Sequence, residues 1–288
     1  MKFSCALDMV PGNNLNDKIK KLIDWQIEGV AVYFYEGDSN NLLGTVNELK
    51  KSFERTPVKF VSAVYDHSYF NKLCDSDKDD RKKSIEKTKI GIDIASQLGC
   101  RCMIGPDYAA VTPLPLFDFH DPSYKNRYQI LLEQLKILVD YAESVGVQTE
   151  IEPINRYEST FYNTISEAME ICMTINDTIN NNSLSIIADF FHMNIEESDL
   201  NSSIIKAKNY IKHIHLSDSN RWLPGYGHID FISAIKTLID MGYSEYLTFE
   251  CGVPGDPDIE IPNSINFLKS CINITNMKKE NKLVNKYY

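Results

Sequence analysis

Short apolar segments alternate with longer segments of helical period along the whole chain. The apolar segments have the length and the β-branched content of buried strands. Eight of them occur, at Phe3–Leu7, Val30–Phe34, Val58–Val64, Arg101–Ile104, Val147–Ile151, Leu184–Ala188, Ile211–Leu216 and Tyr246–Phe249. Between them apolar residues recur every three or four positions, as at Leu131, Leu135, Leu138 and Ala142, and this spacing predicts amphipathic helices.

The alternation of strands and helices predicts an α/β fold, a single (β/α)8 TIM barrel. The units fill residues 1–275 without linker-like composition, so we expect one catalytic domain there and a polar tail over residues 276–288. A doubly wound open sheet is the alternative, but no Gly-rich turn follows the first strand. Thr164-Ile-Ser-Glu167 has the capping-box pattern of a helix start. A final helix is indicated by Ile265, Leu268 and Ile272.

One connection, from Gly105 to Tyr124, is longer than a passive loop in a compact domain. It contains four prolines and the aromatic residues Tyr108, Phe117 and Phe119. Aromatic side chains favour packing over disorder, so we interpret this segment as a lid over the C-terminal face of the barrel.

Charge and composition exclude several classes of function. The 288 residues include 30 Lys+Arg and 40 Asp+Glu, a formal net charge of -10, which disfavours nucleic acid as a partner. No apolar run is long enough for a membrane span, and the segment after Met1 is too short for a signal peptide. The seven cysteines are scattered without a metal-binding spacing. We therefore interpret them as free thiols and expect a cytoplasmic protein.

Metal-ligand residue types end four consecutive strands, at Glu152, Asp189, His215 and Glu250. In such barrels the active site lies at the C-terminal ends of the strands. A single acid there is typical of a helix cap, but three carboxylates and one imidazole converging on one cavity need a cation between them. This oxygen-rich set suits Mn²⁺, with Mg²⁺ or Co²⁺ as alternatives, better than a closed structural zinc site.

The segments around these residues carry a specific pattern. They read Glu152-Pro-Ile-Asn-Arg-Tyr-Glu158, Asp189-Phe-Phe-His192, His213-Ile-His215-Leu-Ser-Asp-Ser-Asn-Arg221 and Phe249-Glu250. Here the chain resembles the xylose-isomerase-like superfamily, and within it the ketose 3-epimerase branch, which includes D-tagatose/D-psicose 3-epimerases and 5-keto-L-gluconate epimerases. The resemblance runs from about residue 150 to residue 254.

This resemblance implies a role for each matching residue. Glu152, Asp189, His215 and Glu250 match the metal ligands, and the two glutamates also match the catalytic carboxylates. Three further residues match groups that hold the O1–O2 end of a ketose: Glu158, His192 and Arg221. The resemblance also implies a small-molecule sugar substrate and a homo-oligomer, a dimer or a tetramer.

The implied reaction inverts the carbon next to a carbonyl, at C3 of a free ketose or keto-sugar acid. One carboxylate removes the proton from one face of the substrate carbon, which gives an enediolate, and the other returns a proton to the opposite face. An aldose–ketose isomerase and a keto-inositol dehydratase are alternatives on the same scaffold. An endonuclease-IV-like repair enzyme would need more histidine and acid ligands and a basic groove, which six histidines and an acidic chain do not favour. A non-catalytic binding protein is disfavoured because both bases are present.

Other polar residues near the strand ends are interpreted as structural. Asn155 and Arg156 are expected to brace the loop after the fifth strand. His67 is interpreted as a solvated loop residue, with a place in the lining of the pocket as the alternative. For His228 the sequence favours neither a role in supporting the site residues nor a purely structural role over the other.

Strand alternation gives one prediction about the barrel interior. Glu150 should point inward like Glu152, about 6.6 Å deeper. His213 lies below His215 in the same way. Both belong to odd-numbered strands, which contribute to a common layer, so we predict that Glu150 pairs with His213. A bulge at Glu150, or a contact with Ser, Tyr or water, is the alternative.

Overall fold

The computed structural model describes the backbone of residues 1–105, 123–159 and 161–284, and the side chains of these residues other than 38–40 and 278–284. Eight parallel strands form a closed barrel in sequence order. They are β1 (Lys2–Ala6), β2 (Gly29–Tyr35), β3 (Lys59–Asp66), β4 (Arg101–Met103), β5 (Thr149–Ile151), β6 (Leu184–Asp189), β7 (Ile211–Leu216) and β8 (Tyr246–Phe249). The predicted (β/α)8 barrel is confirmed.

Pairing of the first and last strands closes the sheet. Cys5 of β1 lies opposite Phe249 of β8, which excludes the open doubly wound sheet. The register shifts between Val30 and Ala31 on β2 and between Ile186 and Ile187 on β6. All eight predicted strands are found, with ends that differ by at most two residues from the prediction.

Nine α-helices surround the barrel in the described part of the chain. They are α1 (Leu15–Asp24), α2 (Leu42–Phe53), α3 (Lys78–Leu98), α4 (Tyr124–Ser144), α5 (Ile165–Ile179), α6 (Phe190–Glu196), α7 (Leu200–Lys206), α8 (Phe231–Asp240) and α9 (Pro257–Val284). The predicted capping box is confirmed, because Thr164 and Glu167 each accept the other's backbone N–H at the start of α5. At the end of α3, Gly99 takes a φ of +69°, which closes the helix without a steric penalty.

The main hydrophobic core lies between the outer face of the barrel and the helices. Leu135, Leu138 and Ala142 of α4 are fully buried there, as their helical spacing predicts. The interior of the barrel differs, since its middle layer is polar and connected by hydrogen bonds. Its members are Ser4, Ser62, Glu150, His213 and Thr248.

Four further predictions concern other parts of the chain. All seven cysteines are free, as expected. Among the described residues, no helix combines the length and the apolar character that crossing a membrane requires. The proposed lid falls on residues 106–122, which lie outside the described residues, so the lid stays a prediction. The last helix, α9, extends to Val284, and the polar tail stays an expectation.

Candidate active site and metal centre

The C-terminal ends of β5 to β8 bring four side chains to one point. Glu152 follows β5, Asp189 ends β6, His215 lies on β7 and Glu250 follows β8. One ligand atom from each of them lies within 4.8 Å of the others. Glu152, Asp189 and His215 are buried, and Glu250 is partly buried. The predicted convergence of these four residues is confirmed.

The donor atoms of this cluster fit a cation better than they fit one another. His215 Nδ1 lies 2.9 Å from Glu152 Oε1 and 3.1 Å from Glu250 Oε2. Neither contact has the angle of a hydrogen bond, so His215 Nδ1 and Glu152 Oε1 are buried without hydrogen-bond partners. Carboxylate oxygens and an imidazole nitrogen that converge in this way suit a divalent cation with open positions.

Electrostatics leads to the same requirement. Burial raises the pKa of Glu152. Burial alone would lower the pKa of His215, but the carboxylates of Glu250 and Glu152 raise it well above its usual value. The three acids therefore favour positive charge at their centre, which a proton on His215 supplies in part and a divalent cation supplies fully.

Arg221 joins this cluster from the loop after β7. One guanidinium nitrogen donates to Asp189, and the other donates to Glu250 Oε2 at 2.7 Å. The guanidinium also lies over the ring of Phe191, 5.0 Å from its centroid. Arg221 is thus placed beside the cluster, where a planar cation can bind the oxygens of a substrate.

The backbone of the loop holds Arg221 in an uncommon conformation. Its φ is +61°, a region that non-glycine residues rarely adopt. The N–H of Arg221 donates to the Asp218 carbonyl at 2.9 Å, and the Arg221 carbonyl accepts from Gly252 at 2.8 Å. The buried Asp218 carboxylate accepts backbone N–H groups from Ser219, Gly225 and Ile229. The sequence analysis did not identify Asp218, which holds this loop together.

A second group of side chains connects Glu158 to His192. The Asn155 amide donates to Glu158 Oε1 at 2.7 Å and to His192 Nδ1 at 2.8 Å. The Asn155 backbone N–H also donates to His192 Nδ1 at 3.2 Å. Because Nδ1 accepts twice, the proton of a neutral His192 belongs on Nε2. Asn155 therefore orients two predicted substrate contacts, although the sequence indicated only a bracing role.

The bracing role expected of Arg156 is confirmed. Its guanidinium forms a two-pronged ion pair with the largely buried Glu196, with nitrogen–oxygen distances of 2.9 and 2.7 Å. The Arg156 N–H donates to the same carboxylate, so the loop after β5 is fastened to α6.

The interpretation of His67 as a solvated loop residue is wrong. Its ring is 4% exposed and packs against Tyr65 and Phe70. Nδ1 accepts the N–H of Tyr69 at 3.2 Å, and Nε2 lies 3.4 Å from Thr88 Oγ1 on α3. A partner from a distant helix made burial possible, and the local sequence carries no signal of it. His228 is exposed and bonds Ser219, which favours a structural role.

The predicted pair beneath the cluster is confirmed. His213 Nδ1 lies 3.1 Å from Glu150 Oε1, which also accepts from Ser62 at 2.6 Å. Burial would raise the pKa of Glu150, but His213 and Ser62 hold it below its usual value. His213 Nε2 lies 2.5 Å from Thr248 Oγ1, and its ring meets that of His215 edge-on at 4.7 Å. The pair forms the floor under the cluster.

One contact was missed at the sequence level. The hydroxyl of Tyr33 on β2 donates to Glu250 Oε1. The Tyr33 ring packs on a small apolar cluster in the barrel mouth, composed of Val64, Met103 and Ile187, with Phe70 beside it. A tyrosine in an unbroken apolar strand carries no signal that separates this role from ordinary packing.

Comparisons with known proteins give a consistent pattern. Residues 19–271 match the model of the family described as xylose isomerase-like TIM barrel. The chain is 24% identical over 260 residues to 3-dehydro-D-guloside 4-epimerase of Escherichia coli K12, covering 90% of this chain and 95% of that protein. It is 30% identical over 126 residues to D-psicose 3-epimerase of Ruminiclostridium cellulolyticum, covering 44% of this chain and 42% of that protein.

Solved structures show the same fold. The apo form of 3-keto-D-glucoside 4-epimerase from E. coli superposes with a TM-score of 0.80 at 20% identity, covering 94% of this chain and 100% of that chain. D-psicose 3-epimerase from Clostridium cellulolyticum with D-tagatose gives a TM-score of 0.77 at 20% identity, covering 94% and 99%. At these identities the likeness establishes the barrel.

Proposed function

This chain belongs to the xylose isomerase-like TIM barrel family, and from that premise we propose that it is a metal-dependent sugar epimerase. Its relatives include epimerases of ketoses and keto-glycosides, which places the chain with the isomerases at the level of the family. The proposed reaction inverts the carbon next to the carbonyl, C3 of a ketose. The observation that carries this proposal is the convergence of Glu152 and Glu250 on a cluster that can hold a cation.

The four residues of the cluster would have two roles in such a reaction, metal binding and proton transfer. A divalent cation held by Glu152, Asp189, His215 and Glu250, Mn²⁺ by preference with Mg²⁺ or Co²⁺ as alternatives, would polarise the carbonyl as a Lewis acid. Glu152 and Glu250 arise from β5 and β8 and approach the cavity from different sides. One carboxylate removes the proton from the substrate carbon and the other returns a proton to the opposite face.

Three further side chains are proposed to bind the O1–O2 end of the sugar. Arg221 supplies fixed positive charge beside the cluster. His192 offers a donor at Nε2, because Asn155 occupies Nδ1. Glu158, fixed by the same amide, accepts a sugar hydroxyl. Oriented donors and acceptors of this kind hold the reacting carbon between the two bases.

The rim of the barrel favours an uncharged sugar over a keto-sugar acid. Asp66 ends β3, and Asp8 follows β1. A sugar carboxylate near these two exposed acids would meet like charge, which is unfavourable. We therefore propose a free ketose as the substrate class.

The alternatives differ in their products. An aldose–ketose isomerase would move the carbonyl, and a keto-inositol dehydratase would release water. An endonuclease-IV-like activity is disfavoured by the net charge of -10 and by the single cluster of potential metal ligands among the described residues. The names of the relatives favour epimerisation.

The test is a screen of uncharged ketoses and keto-sugar acids with the Mn²⁺-loaded protein in D₂O, followed by NMR of the products. We expect an epimer with deuterium at the inverted carbon. Replacing Glu152 or Glu250 by Gln should abolish turnover, since each change removes a ligand and a base together. Glu143→Gln on the exposed face of α4 is the matched control and should leave turnover unchanged. Product that retains the original hydrogen would exclude the two-base mechanism.

A further inference from the structure

The contact between Tyr33 and Glu250 crosses the barrel mouth. Tyr33 lies on β2 and Glu250 follows β8, with β1 between these strands. In that strand Ala6 pairs with Ala31 of β2, and the register with β8 places Ala6 level with Glu250. Ser4 meets Thr248 inside the barrel, so Ala6, two residues on, also faces inward. Its methyl group leaves room for the phenol ring to pass.

The two oxygens of Glu250 consequently have different surroundings. Oε2 lies with the cluster, 3.1 Å from His215 Nδ1 and 2.7 Å from an Arg221 nitrogen. Oε1 accepts the hydroxyl of Tyr33 on the other side. The last torsion of a glutamate is broad and nearly two-fold, so an unrestrained carboxylate exchanges its oxygens readily. A hydrogen bond to one oxygen removes this freedom.

The ring of Tyr33 is itself fixed. It packs against the buried cluster of Val64, Met103 and Ile187, so the hydroxyl has a defined position. This packing needs only the ring, and a phenylalanine would supply it. The hydroxyl is therefore not required for this packing.

We propose that Tyr33 is a positioning residue for the reaction, a role that rests on the proposed epimerase function. Its hydroxyl fixes Glu250 Oε1 as the oxygen that exchanges a proton with the substrate carbon and leaves Oε2 to the ligand cluster. Oε1 has two lone pairs, so it accepts the phenol with one and meets the substrate with the other. No atom of Tyr33 enters the reaction, because the proton moves between the substrate carbon and Glu250.

The test compares Tyr33→Phe with Tyr35→Phe, the same chemical change two residues further along β2. Tyr35 is exposed, and its hydroxyl reaches Asp8 at 3.4 Å rather than the cluster. We expect Tyr33→Phe to lower kcat by roughly 10- to 100-fold with a KM close to that of the wild type, because the base is misplaced while sugar binding is retained. Tyr35→Phe should keep the wild-type kcat.

Isotope effects separate positioning of a base from a general structural defect. A substrate deuterated at the inverted carbon should show a larger isotope effect in Tyr33→Phe in the direction in which Glu250 removes the proton. In the reverse direction, in which Glu152 removes it, the isotope effect should be no larger than that of the wild type. The proposal would be overturned if Tyr33→Phe had wild-type kcat and wild-type isotope effects in both directions. It would also be overturned if the isotope effect rose equally in the two directions.

A structural measurement keeps this test independent of turnover. In the Mn²⁺-loaded Tyr33→Phe variant, a crystal structure should show the Glu250 carboxylate rotated or in two orientations, while calorimetry should show nearly wild-type Mn²⁺ affinity. An unchanged carboxylate would overturn the assignment. A loss of affinity beyond about tenfold would also overturn it, because Tyr33 would then support the ligand set rather than the base. If the wild type converts no sugar, the proposed function fails while this measurement still tests Tyr33.

Discussion

Removing one member of the Glu150–His213 pair should strongly destabilise the barrel. The summed losses of the two single variants should exceed the loss of the double variant. Glu150 is fully buried, and its Oε1 accepts from Ser62 and contacts His213. Glu150→Leu leaves both of those groups without this partner. Each buried polar orphan costs about 1–3 kcal/mol, and breaking a buried pair about 3–5 kcal/mol, so we expect a loss of about 3–5 kcal/mol in unfolding free energy.

His213→Leu should cost a similar amount. It removes one partner of Glu150 and one of Thr248, and the carboxylate keeps only Ser62. The double variant leaves fewer buried polar groups without a hydrogen-bond partner, because Thr248 still contacts Ser4. The two leucines can also pack together. We expect the double variant to lose at least about 2 kcal/mol less unfolding free energy than the sum of the losses of the two single variants.

The measurement is urea unfolding of the four proteins in the presence of a chelator, so that loss of metal does not contribute. Glu150→Leu combined with His228→Leu is the control, since His228 contacts Ser219 in the loop after β7 rather than the interior network. That control should be additive. Additivity within about 0.5 kcal/mol for the Glu150–His213 pair would refute the reasoning that these groups stabilise each other.

Three other outcomes follow from the site. Mn²⁺ at a thousandfold excess over its Kd should stabilise the fold by about 4 kcal/mol, a rise of about 8 °C in Tm, and Asp189→Asn should lose that rise in thermal scans. Burial lowers the pKa of His67 from 6.5 to about 4, so the folded chain binds that proton less readily and stability falls as pH drops through 6.5. Relative to His67→Gln, the wild type should lose about 2 kcal/mol between pH 7 and pH 5 in urea unfolding, and equal losses would contradict this account. Asn155→Ala should raise KM about tenfold, and ¹⁵N NMR should show that His192 no longer prefers the Nε2–H tautomer; an unchanged spectrum would contradict the assignment.

The eight strands could be predicted because their signal is local. Ile211–Leu216 and Tyr246–Phe249 have the predicted bounds. β3 extends to Asp66, beyond the predicted end, because backbone pairing with β2 continues after the apolar run stops. Strand ends are set by the partner strand, which a single segment of sequence does not reveal.

The cluster at the ends of β5 to β8 was also within reach of the sequence. Each of its residues occupies the strand end that faces the barrel mouth, so parity and strand order were sufficient. The Glu150–His213 pair followed from the same parity. The burial of His67 was not predictable, because it depends on Thr88, which arrives from α3.

The role of Tyr33 could not be predicted from the sequence. Its role depends on a small residue, Ala6, in the intervening strand and on a register that places Glu250 within reach. The alternation of side chains along β2 predicts that Tyr33 faces inward. It does not predict that the long side chain of Tyr33 reaches past β1 to Glu250. The residues that exchange protons come from β5 and β8, whereas Tyr33, which holds one of them in place, comes from β2 and packs on residues of β3, β4 and β6. Two chains with the same four ligands can therefore differ in how Glu250 is held, and that difference lies in the half of the barrel that the shared motif does not cover.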